Sequence, residues 1–394
     1  MTADEFIRQH AHEPIEHVAF SLRQHPEWDA QYILRQIEGR QRLERKAPSI
    51  AKIENLIFPP RLSIEQCSGE TAAQLKAQLV EQHISSRHRM ADLTGGLGID
   101  FASLAPLFDE AYYIERQEVL VNVARHNLPL MGVPEAHVVQ ADASEWLTQA
   151  PLLDLVFLDP ARRDSVGRKV AGMADCEPNV LELLPLLRDK ARYALLKLSP
   201  MLDLSSCLRD LPMASEVHII AEKGECKELL VLLDFQLDRD AVLPDETAIF
   251  CHDGFLFQFS RSEEKSCTVR TTNQVFQYLY EPSAALLKAG AFKVVATRLQ
   301  LLKLHQESHL YTSQALVNEF PGRTFRVLRT TNFSKKALRE FTKGVKQANL
   351  SVRNFPATVT DLRKRLHLAE GGKEYWFATT LSDGSHVLIA CEKV

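Results

Sequence analysis

The chain has 394 residues, 45% hydrophobic and 25% charged, the balance of a soluble globular protein with room for two or three domains. A formal net charge of -4 argues against a wholly basic nucleic-acid coat protein, although it leaves room for a local basic surface. The seven cysteines include no CxxC pair, which speaks against zinc-ribbon and iron–sulfur sites and for free thiols in a reducing cytosol. No signal peptide is read in Met1 to Phe20, and no apolar run reaches the roughly 18 residues a spanning helix needs, so a cytoplasmic protein is expected.

Residues 1–86 read as a polar helical extension. Asp29 to Lys46 places Tyr32, Ile33, Ile37 and Leu43 at helical spacing, and Pro48 and Pro59-Pro60 then break the pattern. A helix is predicted from Thr71 to about Ser86, with Ser68 as its cap and Leu75, Leu79 and His83 on one face. From 87 to 237 short apolar strands alternate with helices, as in a mostly parallel α/β sheet. Strands are predicted at 90–92, 111–115, 136–140, 153–158, 192–198, 215–221 and 229–235, with helices near 99–108, 117–130, 143–149, 178–190 and 202–210. Pro178 suits a helix's first turn. Glu222 to Glu228 is too short for a crossover helix, so the last two strands should pair antiparallel as a hairpin at the sheet edge.

Beyond the polar stretch around Pro244, residues 238–310 read as a small α+β domain. Its short strands are expected at 248–251, 255–259 and 267–270, the first two joined by Asp253-Gly254, and a mostly helical run follows from Ser283 to Leu302. Residues 311–394 read as another small α+β domain. It should hold a strand at 325–328, helices at 335–349 and 359–366, and a closing hairpin around Asp383-Gly384. Between Arg323 and Lys373 stand thirteen Lys or Arg against three Asp or Glu, a local charge of about +10 that points to an anionic partner.

The chemistry concentrates at the predicted strand ends. Met90 to Gly98 is an apolar strand ending in Asp92, followed by a turn in which Thr94, Gly95, Gly96 and Gly98 form a floor that a ligand can approach closely. An acid just before such a turn favours an amine-bearing nucleoside over a dinucleotide. Glu115 ends the next strand, where a carboxylate meets a ribose diol. Asp142 follows the third strand, able to accept from an adenine amine with Ala143 beside the ring, or to cap the helix at 143–149. Asp159 and Pro160 end the fourth strand, where an acid can take a hydrogen bond or proton from a substrate nitrogen. Arg162 and Arg163 suit a phosphate, or else pair with Asp164 or Asp175. Lys197 ends the fifth strand, an unusual place for an ammonium that is neither paired nor substrate-facing. Cys226 reads as a small buried thiol, and the histidines show no metal-ligand spacing, so no metal is assigned.

Together Asp92 to Gly98, Glu115, Asp142 and Asp159-Pro160 resemble the successive motifs of class I S-adenosylmethionine-dependent methyltransferases, whose Rossmann-like sheet has seven strands with the last one antiparallel. Gln66-Cys67-Ser68, Leu158 to Arg163, Lys197 to Asp203, Glu225 to Leu230, Tyr280-Glu281-Pro282 and Asn354-Phe355-Pro356 narrow the resemblance to the bacterial THUMP-like group. The resemblance implies S-adenosyl-L-methionine as cofactor, with Asp92 at its methionyl amine, Glu115 at its ribose and Asp142 at its adenine. It also implies a ferredoxin-like piece before a THUMP-like domain that engages structured RNA, tRNA or rRNA, rather than DNA or a membrane. Amino-group methyltransferases follow Asp-Pro with a second proline and an aromatic residue; this chain carries Ala161 and Arg162 there. Methylation of an RNA base nitrogen is the expected reaction, ahead of a protein or small-molecule methyltransferase and of a non-catalytic RNA-binding protein.

Overall fold

The computed structural model describes residues 1–161, 172–237 and 245–394, so the predicted Arg162 and Arg163 lie outside the described residues. Nine strands form the first sheet: β1 (Arg89–Asp92), β2 (Glu110–Glu115), β3 (His137–Gln140), β4 (Leu153–Leu158), β5 (Ala191–Leu198), β6 (Ala214–Glu222), β7 (Glu225–Asp234), β8 (Ala248–His252) and β9 (Leu256–Ser260). Their order is β3-β2-β1-β4-β5-β7-β6-β8-β9. β1 pairs parallel with β2 and β4, β2 with β3, and β4 with β5. Five carboxyl ends therefore share one edge. Every residue of β4 is buried, as a strand covered on both faces must be.

β6 and β7 are neighbours joined only by Lys223 and Gly224, both at positive φ, a link that permits only antiparallel pairing. The seven expected strands are thus present, with β7 reversed between β5 and β6. The difference lies at the edge: β8 adds parallel to β6, and β9 pairs antiparallel with β8. The expected strand at 267–270 does not form. Cys267 follows the helix Arg261–Ser266, which Ser260 caps through the Glu263 amide, in extended backbone, but 267–270 joins neither sheet. Likewise Asn179, not Pro178, opens the helix Val180–Lys190, because its side chain accepts from the Leu181 amide.

By compactness the chain divides into Met1–Leu202 with Val231–Ala241, and Asp203–Leu230 with Val242–Val394. In the first unit the extension contributes helix Ala30–Lys46, capped by Asp29, and helix Glu70–His83. Leu43, Phe58, Ile64 and Ala73 share a buried cluster with Leu97 and Ile99, so the extension packs directly behind the glycine turn. Ser68 does not cap Glu70–His83, since Gly69 occupies that position and the hydroxyl bonds elsewhere. The buried stripe of this helix is Ala73, Lys76, Leu79 and Val80, in place of the expected Leu75, Leu79 and His83.

The second unit holds a sheet of β10 (Tyr278–Pro282), β11 (Leu302–Lys303), β12 (Tyr311–Ser313), β13 (Gly322–Asn332), β14 (Asn349–Arg353), β15 (Tyr375–Thr380) and β16 (His386–Lys393). Its order is β11-β12-β10-β13-β16-β15-β14. The run expected as one helix over 335–349 stops at Phe341. Gly344 turns at positive φ, and Asn349–Arg353 becomes a strand parallel to β15. Helices Lys335–Phe341 and Val359–Leu366 bury Leu338, Phe341, Leu362 and Leu366 against Trp376 and Leu388, which leaves their charged faces outward. Among the described residues no helix is long and apolar enough to cross a membrane.

Candidate active site

The strand order sets the site residues side by side. Along the shared edge stand Asp142 after β3, Glu115 on β2, Asp92 on β1, Asp159 after β4 and Lys197 on β5. The glycine turn is pinned between two neighbours: the Leu93 amide donates to the Phe157 carbonyl at 3.1 Å and the Gly95 amide to the Ile114 carbonyl at 3.0 Å. A Cβ on Gly95 would lie 2.2 Å from the Tyr113 ring, and Gly96 and Gly98 take φ of +56° and +81°. Close packing in one case and left-handed backbone in the others explain the glycines.

Asp92 is buried, and Oδ1 accepts from the Thr94 amide at 2.9 Å and hydroxyl at 3.3 Å. Among the described residues no lysine or arginine pairs with it, and burial pushes its carboxyl up to about 8. The Thr94 hydroxyl also accepts from the Asp159 amide at 2.7 Å, tying the first strand's acid to the fourth strand's motif. Glu115 is buried; Oε2 accepts from the Gly96 amide at 3.1 Å and Oε1 from the Gln117 amide at 2.9 Å, so it braces the glycine turn. Asp142 caps helix Ala143–Gln149 through the Ser144 amide at 2.8 Å and the Glu145 amide at 3.4 Å, and the Ser144 hydroxyl holds its carboxyl below the ordinary range. Ala143 is buried beneath it and Pro160 beside Asp159.

Lys197 lies 2.5 Å from Asp159 Oδ2, so its ammonium is paired with a carboxylate. Behind it stands a set of charges that sequence reasoning missed. Asp100 Oδ2 lies 3.9 Å from Lys197 and accepts from the Ser68 hydroxyl at 2.7 Å, while Oδ1 lies 3.0 Å from the ammonium of Lys76, which also donates to Ser68 at 3.0 Å. Burial opposes ionisation of Asp100, yet Lys76, Lys197 and Ser68 together hold its carboxyl below the usual range. Of these, only Ser68 was singled out in the sequence, as an expected helix cap and as part of Gln66-Cys67-Ser68.

The acid pattern fits an amino-acid nucleoside. Asp92 is a buried carboxylate with no paired cation among the described residues, beside a glycine floor, and Glu115 stands one strand over. Among the described residues no group of His, Cys, Asp and Glu is arranged to hold a metal ion. Cys226 is half-buried and its thiol is pushed up to about 11 by burial, as expected of a packing residue.

Known proteins match this arrangement along its length. Residues 278–321 match a ferredoxin-like domain family and residues 322–393 a THUMP domain-like family. A crystal structure from Porphyromonas gingivalis W83, provisionally assigned as a methyltransferase, is 37% identical, covers 100% of this chain and 97% of its own, and superposes with a TM-score of 0.86. Two Mycobacterium tuberculosis proteins, from strains CDC 1551 and H37Rv, are described as uncharacterised S-adenosylmethionine-dependent methyltransferases. Each is 26% identical over 320 residues, 78% of this chain and 83% of the relative.

Proposed function

The chain belongs to the class I S-adenosylmethionine-dependent methyltransferases that carry a THUMP-like domain, and from that premise we propose that it methylates a nitrogen of an RNA base in tRNA or rRNA. It is a methyltransferase that uses S-adenosyl-L-methionine. When bound, the cofactor supplies a sulfonium methyl as electrophile. Asp92 takes its ammonium, Glu115 its ribose diol and Asp142 its adenine amine, while Ala143 lies beside the adenine ring and Thr94, Gly95, Gly96 and Gly98 form the floor.

Asp159 faces the incoming nucleotide. Its side chain is 35% exposed, its amide is anchored on Thr94, and Lys197 balances its charge. The carboxylate accepts a hydrogen bond from the target N–H and orients the nitrogen lone pair toward the methyl. After transfer the nitrogen carries one excess proton, which Asp159 or water removes. Pro160 stiffens this turn, and Arg162 and Arg163, which follow Ala161 in the sequence, are the cations assigned to substrate phosphate.

One observation supports RNA in particular, the division of cations in the second unit. Arg323 and Arg353 pair with Glu281, Arg326 with Glu392, Arg329 with Glu374 and Arg363 with Glu370. Lys335, Lys336, Arg339, Lys343, Lys346, Lys364 and Lys373 are exposed, and among the described residues none pairs with an acid. The cations paired with acids here are arginines, whereas the exposed set is mostly lysine, on helices Lys335–Phe341 and Val359–Leu366 and in the segments after them, as a phosphate-binding surface requires. The test is mass spectrometry of nucleosides in tRNA and rRNA from cells with and without the gene. Loss of one N-methylated nucleoside is expected. Identical profiles would overturn the RNA reading and turn attention to a protein or small-molecule acceptor.

A further inference from the structure

The N-terminal extension reaches into the reaction centre through Lys76. We propose that Lys76, with Ser68 and Asp100, is a positioning residue that fixes Lys197 on Asp159 and so keeps the substrate-facing carboxylate aligned. The inference rests on the reading that Asp159 orients the target nitrogen.

The four charges alternate in sign along one path: Lys76, Asp100, Lys197, Asp159. Exposure of these side chains rises along the same path, from 0% at Lys76 through 10% and 11% to 35% at Asp159. Surface ion pairs need no such backing. A wholly buried lysine does, because an unpaired ammonium out of water is strongly disfavoured. At the buried end the Lys76 ammonium lies 3.0 Å from Asp100 Oδ1 and the Ser68 hydroxyl donates to Oδ2 at 2.7 Å. Asp92, at the end of β1, shows the alternative: it too is buried but has no paired cation among the described residues, and its carboxyl is raised, whereas that of Asp100 is lowered. Asp100 must therefore keep a cation, and its choice of cation decides where Lys197 goes.

With Lys76 in place, Asp100 has an ion-pair partner 3.0 Å away on its buried side, and Lys197 sits 2.5 Å from Asp159 and 3.9 Å from Asp100. If Lys76 is lost, the closest remaining cation described beside Asp100 is Lys197, and it moves inward. Asp159 then loses both its counter-charge and its orientation. A double variant that also neutralises Asp100 removes this pull and returns Lys197 to Asp159. The single change is thus expected to be worse than the double, the reverse of what additive damage gives.

The test compares Lys76→Met, Lys76→Met/Asp100→Asn and Asp159→Asn in the full chain. Methyl transfer from S-adenosylmethionine is followed into bulk tRNA and rRNA from cells lacking the gene, S-adenosylhomocysteine binding is measured by calorimetry, and crystal structures are determined for both lysine variants. Lys76→Met is expected to lower kcat by roughly tenfold or more with KM and S-adenosylhomocysteine affinity within about twofold, and the double variant to recover most of it. Crystallography, which needs no substrate, should show Lys197 off Asp159 in the single variant and back on it in the double. Lys197 still bonded to Asp159 in Lys76→Met, or a double variant no better than the single, would overturn the proposal. Full turnover by Asp159→Asn would instead remove the reading beneath it, whatever the lysine variants do.

Discussion

Charge is handled in opposite ways at the strand tips of the first unit and on the helices of the second. At and behind the tips, Lys76, Asp100, Lys197 and Asp159 alternate in sign and are mostly buried, so position is fixed and little field escapes. On the second unit, Lys335 and Lys336 on helix Lys335–Phe341 and Lys343 and Lys346 in the segment after it are exposed and lack acid partners among the described residues, so the field is broad and geometry is loose. Paired buried charge suits alignment of one atom; unpaired surface charge suits capture of a polyanion. The same residue type, lysine, does both jobs, and the surroundings decide which.

The largest effect is expected where that division is broken at its reactive end. Asp159→Ala should lower kcat by about 10²-fold or more, the scale on which a positioned proton acceptor contributes, with S-adenosylhomocysteine binding nearly unchanged in calorimetry. Parent-like turnover on RNA from deletion cells would remove Asp159 from the chemistry. On the other side, replacing Lys335, Lys336, Lys343 and Lys346 together by Ala should weaken RNA binding and flatten its dependence on log salt by about 0.7–0.9 for each phosphate no longer neutralised. Melting temperature and cofactor affinity should hold. An unchanged salt slope in filter binding would mean that this face does not touch phosphate.

A smaller effect follows from Asp92. Its folded carboxyl is raised to about 8, so at pH 6 to 7 it is mostly protonated, while in the unfolded chain it is ionised. The raised value means that stability from this group falls as pH rises from the ordinary carboxylate range toward 8, where both states are ionised. Pairing with the cofactor's ammonium favours the carboxylate, so binding near pH 7 should release a proton and tighten by up to about tenfold per pH unit as pH rises toward 8. Calorimetry of S-adenosylhomocysteine in buffers of differing ionisation enthalpy reads that proton. Asp92→Asn should erase both the release and the pH trend; a trend that survives in this variant would assign it to another group.

The sequence was most informative where local rules and global packing agree. β4 and β5 read as apolar on both faces and are central strands, and Asp92, Glu115 and Asp159 fall at parallel strand ends because motif, strand and turn coincide there. What was hidden depended on partners far along the chain. Lys76 is 24 residues from Asp100, and no spacing rule separates a buried lysine from an exposed one. The attachment of β8 and β9 to the first sheet and the parallel pairing of β14 with β15 are likewise long-range choices, invisible to periodicity. Ser68 is the instructive error. A serine before a helix reads as a cap, but Gly69 holds that place, and a buried Lys76–Asp100 pair offered the hydroxyl a stronger, charge-assisted bond.

Asp142 is where the two readings of one residue coexist, and it carries the smallest predicted effect. Its Oδ1 takes the amides of Ser144 and Glu145 and the Ser144 hydroxyl at 2.6 Å, which makes it a helix cap whatever else it does. Asp142→Ala should therefore cost about 1 kcal/mol of stability, and Asp142→Ser, which keeps a capping oxygen, should recover most of that. Since only Oδ1 is engaged in those bonds, the second oxygen of this exposed carboxylate is open to an adenine amine. If it serves there, Asp142→Ser restores the melting temperature but leaves S-adenosylhomocysteine affinity reduced by a few fold, because a neutral hydroxyl replaces a charged acceptor. If Ser restores both together, the carboxylate is a cap alone, and adenine is held by the buried side of the pocket around Ala143.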